Sequence, residues 1–127
     1  MGIRLFLDTN AIITLLRENV EVIEEVDKAD DLFISVINEL EFKSYSNLSF
    51  DKQLFDDFAS HVTVFDLPAS HISFKNKIID IRVAYNLKLP DAIIAASAIL
   101  NHAILITADT DFKKVKELQL KTIQLKY

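Results

Sequence analysis

The chain has no cysteine, and its 127 residues include a single glycine and two prolines. Without cysteine there can be no disulfide, no thiol nucleophile and no zinc site built on thiolates. The lone glycine, Gly2, leaves no glycine-rich phosphate loop, which excludes the P-loop and the dinucleotide fingerprint and with them the usual nucleotide cofactors. No apolar run approaches the roughly 18 to 20 residues that span a bilayer. Met1-Gly2-Ile3-Arg4 leads straight into a strand-like run with no signal-peptide pattern. A cytoplasmic protein away from membranes is the expectation. Three scattered histidines, His61, His71 and His102, read as surface or packing residues. Oxygen ligands are then the main route to a metal, which should be hard: Mg²⁺ or Mn²⁺.

What is present is an ordinary globular composition. Half the residues are apolar and 26% are charged, so one compact domain over residues 1–127 is expected, burying roughly two-thirds of the surface its unfolded chain exposes. The net charge of −5 is unevenly spread. Residues 1–69 hold 5 bases and 14 acids, whereas residues 70–127 hold 9 bases and 5 acids. Lys75, Lys77, Arg82, Lys88, Lys113, Lys114 and Lys116 fit either a phosphate-steering surface or plain solvated helix faces.

Along the chain, strand-like and helical patterns alternate. Apolar runs at 3–7, 32–35, 62–65 and 104–106 read as strands, with 122–125 as a further edge strand. Between them, helical spacing covers 11–16, Val20 to Val26, 36–45, the Leu54-Phe55-Phe58 segment, 70–86 and 91–100, with a short helix at 112–118 and a polar turn at 46–49. Pro90 is expected to end the connection before the apolar helix that follows. This alternation predicts a three-layer α/β/α domain with a mainly parallel sheet of four or five strands.

Three stretches place aspartates where an apolar or connecting run gives way to a helix: Leu7-Asp8-Thr9-Asn10, Pro90-Asp91-Ala92-Ile93-Ile94 and Thr107-Ala108-Asp109-Thr110-Asp111-Phe112. Taken singly, each aspartate is explained by helix capping. Together they suggest more, because residues just past the carboxyl ends of parallel strands gather along one sheet edge. Crowded carboxylates repel unless a cation neutralises them, and Asp8, Asp91, Asp109 and Asp111, with a glutamate from the third helix, suit a divalent metal. That glutamate is Glu39 or Glu41; two apart, they lie on different helix faces, and periodicity leaves both open.

In this order and spacing the motifs resemble those of the PIN-domain ribonucleases, particularly the toxin subunits of VapBC-type type II toxin–antitoxin pairs, over almost the whole chain. Leu-Asp-Thr-Asn is similar to the opening motif, with Asp8 at its metal carboxylate and Thr9 and Asn10 at supporting polar positions. Ile34-Ser35-Val36-Ile37 resembles the start of the second, whose acid falls six positions after the serine, which selects Glu41. Leu89-Pro90-Asp91-Ala92-Ile93-Ile94-Ala95-Ala96 resembles the third and Ile106-Thr107-Ala108-Asp109-Thr110-Asp111-Phe112 the fourth, with Asp109 at the aspartate-or-asparagine position and Asp111 at the more variable acid. Two positions depart from the pattern: Asn38 stands where many such toxins carry threonine, and Lys43-Ser44-Tyr45 replaces the usual glycine after the second acid.

The resemblance implies a homodimer that hydrolyses RNA phosphodiester bonds with Mg²⁺ or Mn²⁺, an antitoxin partner, and Asp8, Glu41, Asp91, Asp109 and Asp111 as metal carboxylates. Asp8, Glu41, Asp91 and Asp109 would be the catalytic set, with Thr9, Asn10 and Thr107 orienting ligands by hydrogen bonds. Phe42 or Tyr45 offers a ring for stacking an RNA base, against a default of core packing. Two other classes compete. A non-catalytic scaffold binding RNA or protein would show no metal-dependent cleavage. A phosphoaspartate enzyme or receiver domain would phosphorylate Asp8, but a second aspartate two residues on is replaced by Asn10.

Overall fold

The computed structural model describes residues 2–45 and 49–124. The apolar runs become five strands: β1 (Arg4–Leu7), β2 (Asp31–Ser35), β3 (Thr63–Phe65), β4 (Ile104–Thr107) and β5 (Leu120–Thr122). They pair in the order β3-β2-β1-β4-β5, and every pairing is parallel. Between them the described residues form α1 (Thr9–Leu16), α2 (Val20–Asp27), α3 (Val36–Tyr45), α4 (Ser49–Ala59), α5 (Ile72–Tyr85) and α6 (Leu89–Leu100), with a 3₁₀ turn at Thr110–Lys114.

Strand alternation divides the core into two layers. Phe6, Phe33 and Leu105 point to the side covered by Phe74 and Ile81 of α5 and Ala92, Ala95 and Ala96 of α6. Leu5, Leu7, Ile34 and Ile106 point to the other, covered by Ala11 and Ile12 of α1, Val22 of α2, Phe42 of α3 and Phe55 of α4. The result is a three-layer α/β/α fold. Phe6 and Phe33 sit in register on β1 and β2 with ring centroids 6.2 Å apart, and Phe42 meets Phe55 at 4.9 Å, tying α3 to α4. The small side chains of α6, fully buried at Ala92, Ala95, Ala96 and Ala98, let that helix lie close against the sheet.

Several boundaries differ from the sequence reading for identifiable reasons. The helix expected from residue 91 begins at Leu89, because Pro90 sits in its first turn, where a missing N–H costs nothing. Residues 112–118 are not a short α-helix. Asp109 caps a single 3₁₀ turn and Val115 returns to extended backbone, since five residues give little return on helix nucleation. The last strand lies at Leu120–Thr122 rather than 122–125, and Leu125 falls outside the described residues. Of the polar turn, residues 46–48 likewise lie outside them, and Ser49 opens α4. Helix α5 is two residues shorter at its start: His71 caps it, accepting from Phe74 N at 3.0 Å, and left-handed Asn86 ends it.

The strand order decides where a site can form. From β1 the chain winds outward to β2 and β3, then returns to the other side of β1 for β4 and β5. The reversal falls between β1 and β4, and in open parallel sheets the crevice outside the carboxyl ends of such a pair is where ligands bind.

Candidate active site

Two short segments meet at that crevice. Asp8 follows β1 and caps α1, its Oδ1 accepting from Thr9 N at 2.9 Å. Its Oδ2 accepts from Thr107 Oγ1 at the end of β4 (2.7 Å) and from Asn10 Nδ2 (3.3 Å). Asn10 in turn takes the Ala108 N–H on Oδ1 at 2.8 Å, and Thr107 Oγ1 takes the Asp109 N–H at 3.0 Å. The two strand ends are thus stitched together through side chains that are nearly all buried: Thr107 is 0% exposed and Asp8 6%. Burial pushes the Asp8 carboxyl above its usual range, the Glu41 and Asp109 charges add to this, and the bonds from Thr107 and Thr9 oppose it.

The other carboxylates converge on the same place. Asp8, Glu41, Asp91 and Asp109 all line one open cavity of about 340 Å³, with Thr9, Asn10, Ile13, Tyr45, Lys88 and Pro90 completing its wall. Asp91, in the first turn of α6, is pushed up to about 6, first by burial and then by the charges of Asp8, Asp109 and Glu41, with Lys88 pulling the other way. Glu41 accepts a hydrogen bond on Oε1 from Thr9 Oγ1 at 2.9 Å. Glu39 instead pairs with Lys43 at 2.9 Å, so of the two glutamates left open by periodicity, Glu41 reaches the cavity. Asp111 does not line it. Its side chain is 65% exposed and stands 3.9 Å from Lys114 Nζ, while its backbone N–H caps onto Asp109 Oδ1 at 2.9 Å. Among the described residues, no three acidic or histidine side chains stand close enough to grip one ion as they lie.

The donor set nonetheless has the chemistry of a hard-cation site: four carboxylates, no sulfur, no imidazole, and neighbouring charges that add to the raised proton affinity of Asp8 and Asp91. Of the basic residues of the second half, Lys88 lines the cavity, whereas Lys77 pairs with Glu117 at 2.6 Å and Lys114 lies beside Asp111. Phe42 is a core residue, 8% exposed, but Tyr45 is 77% exposed at the cavity wall. One contributor stood out in the sequence only as a departure from a motif, not as part of the site. Asn38 is fully buried, accepts the Ser35 N–H on Oδ1 at 2.7 Å and donates from Nδ2 to Thr9 Oγ1 at 3.0 Å. Its signal was present in the form of a capping box, Ser35 three residues before Asn38, with Ser35 Oγ taking the Ile37 N–H at 3.1 Å.

The fold recurs in solved structures. VapBC2 from Rickettsia felis, bound to a DNA fragment from its promoter, matches with a TM-score of 0.82 at 20% identity over 96% of this chain and 100% of the matched one. A toxin–antitoxin complex from Klebsiella pneumoniae matches at 0.75 with 25% identity, covering 94% and 95% of the two chains. VapBC-1 from nontypeable Haemophilus influenzae matches at 0.76 with 23% identity, covering 94% and 98%. No curated protein matches by sequence. The PIN domain family model covers residues 5–118, from β1 through the turn that follows β4, and with that span matched the chain belongs to the PIN domain family.

Proposed function

We propose that this chain is a divalent-metal-dependent ribonuclease that hydrolyses RNA phosphodiester bonds, and that it is the toxin of a type II toxin–antitoxin pair. One observation carries the reading: Asp8, Glu41, Asp91 and Asp109, spread over a hundred residues of sequence, line a single cavity at the point where the strand order reverses. Toxin–antitoxin complexes among the structural matches support the toxin assignment.

Asp8, Glu41, Asp91 and Asp109 would hold Mg²⁺ or Mn²⁺, and the cation would neutralise their charge and supply Lewis acidity toward a phosphate. The chain's own contribution is positional. Thr107 and Asn10 fix Asp8 Oδ2, and Thr9 fixes Glu41 Oε1, so two of the four carboxylates are oriented before substrate arrives. Asp91, whose proton affinity is raised by burial and by the charges of Asp8, Asp109 and Glu41, is the carboxylate that gains most from a cation neutralising that crowding. Lys88, the basic side chain on the cavity wall, pairs with the substrate phosphate, and exposed Tyr45 offers a face for a neighbouring base. A second copy of the chain would cover Ile72, Ile79 and Val83, which α5 leaves exposed. An antitoxin is the expected protein partner.

The test is cleavage of single-stranded and structured RNAs by purified protein with Mn²⁺, with EDTA, and with Asp8→Asn. Cutting should need the metal and vanish in the variant; no metal-dependent cutting across a broad RNA panel would overturn the reading in favour of a binding scaffold.

A further inference from the structure

Asn38 is a polar side chain with no exposed surface, and its contacts run in one direction only. The Ser35 backbone N–H can only donate, so the atom 2.7 Å from it must be the amide oxygen, Oδ1. That assignment turns Nδ2 toward Thr9 Oγ1 at 3.0 Å. An amide NH₂ donates and never accepts. Thr9 Oγ1 therefore accepts from Asn38, and its single proton is directed to Glu41 Oε1 at 2.9 Å.

We infer that Asn38 is a positioning residue for the cation site: acting through the Thr9 hydroxyl, it holds the Glu41 carboxylate, hydrogen-bonded on Oε1, turned toward the cavity. This rests on the reading that the four carboxylates take a divalent cation. It goes further by assigning the orientation of one of them to a buried amide 29 residues from Thr9. Without Asn38, the Thr9 hydroxyl is free to rotate away and Glu41 loses its fixed partner. The same amide also closes the capping box of α3 through Ser35, so a purely structural role must be separated from the relay.

A double-mutant cycle separates them. Mn²⁺ affinity is measured by calorimetry, without RNA, for the full chain and for Asn38→Ala, Thr9→Val and the double variant, with thermal melts in EDTA alongside. Each single change should weaken Mn²⁺ binding about tenfold. The double should also stay near about tenfold rather than about a hundredfold, because both remove one relay. Lower melting temperatures with unchanged Mn²⁺ affinity would overturn the inference, as would losses that multiply. If Asn38→Ala does not fold, Thr9→Val with wild-type affinity is by itself enough to refute it. Mn²⁺ binding with the expected cycle but no RNA cleavage would remove the ribonuclease reading and leave this one standing; no Mn²⁺ binding by the wild type would remove both.

Discussion

Asp8 and Asp91 face the same cavity, yet the chain treats them differently. Asp8 is 6% exposed and receives hydrogen bonds on both oxygens from Thr9, Thr107 and Asn10. Asp91 is only half-buried, and among the described residues nothing bonds to its carboxylate; what acts on it is burial, three neighbouring acids and the partial relief of Lys88. Both are raised in proton affinity, but for Asp8 the donors hold the group in place against that pressure. Asp91 lacks that restraint. A site built this way is rigid on its β1–β4 side and adjustable on its α6 side, which reconciles a shared cavity with the lack of any ready three-ligand grip among the described residues.

Removing Asp8 tests the rigid side with the largest expected effect. Asp8→Asn should cut metal-dependent cleavage by more than the 10- to 100-fold, roughly, that losing a supporting partner costs, measured as kcat/KM on a defined RNA. Thr107→Val comes next. It keeps the shape but strips Asp8 Oδ2 of its shortest bond, so Mn²⁺ affinity should fall roughly 10- to 100-fold and stability by about 1–3 kcal/mol for the buried partner left unpaired. A denaturant midpoint equal to wild type would show that Asp8 does not depend on Thr107.

On the adjustable side the sign changes with pH. With a folded pKa of about 6 against an ordinary 3.8, native Asp91 holds its proton more tightly than the unfolded chain does. The associated stability is complete below pH 3.8 and is lost as pH rises to about 6. In EDTA, Asp91→Asn should therefore melt higher than wild type at pH 7, and this advantage should vanish near pH 4. A loss of stability at pH 7, as expected for Thr107→Val on the other side, would erase the distinction between the two sides. The smallest effect belongs to Lys88→Gln. RNA binding should weaken modestly, the slope of log affinity against log salt should fall by roughly one, and the Asp91 titration should move further upward as the opposing charge of Lys88 disappears.

Much of this architecture is readable in the chain itself. Apolar runs and helical stripes locate β1 to β4 and helices α1 to α6, while the last strand is displaced by two residues and the segment after β4 is a 3₁₀ turn instead of a helix; aspartates at strand ends mark the edge where a site would form. Legibility failed where local pattern competes with tertiary packing. Periodicity left Glu39 and Glu41 equivalent and only the motif resemblance chose Glu41; it is the packing of α3 that sends Glu39 to Lys43 and Glu41 to the cavity. Asp109 and Asp111 look alike in sequence, but the 3₁₀ turn that Asp109 caps carries Asp111 outward. Asn38 stands out in sequence as a departure from a motif, not as a buried donor, because its importance lies in contact with Thr9, 29 residues away.

Sequence alone located most of the strands and helices, excluded thiol chemistry, and marked which acids sit at element boundaries, since periodicity and composition are local properties. Tertiary structure decided the strand order, the partner of each carboxylate and the direction of every proton in the Asn38–Thr9–Glu41 chain. Those depend on which remote residues come within about 3 Å of one another, the reach of a hydrogen bond, and no local pattern encodes that distance.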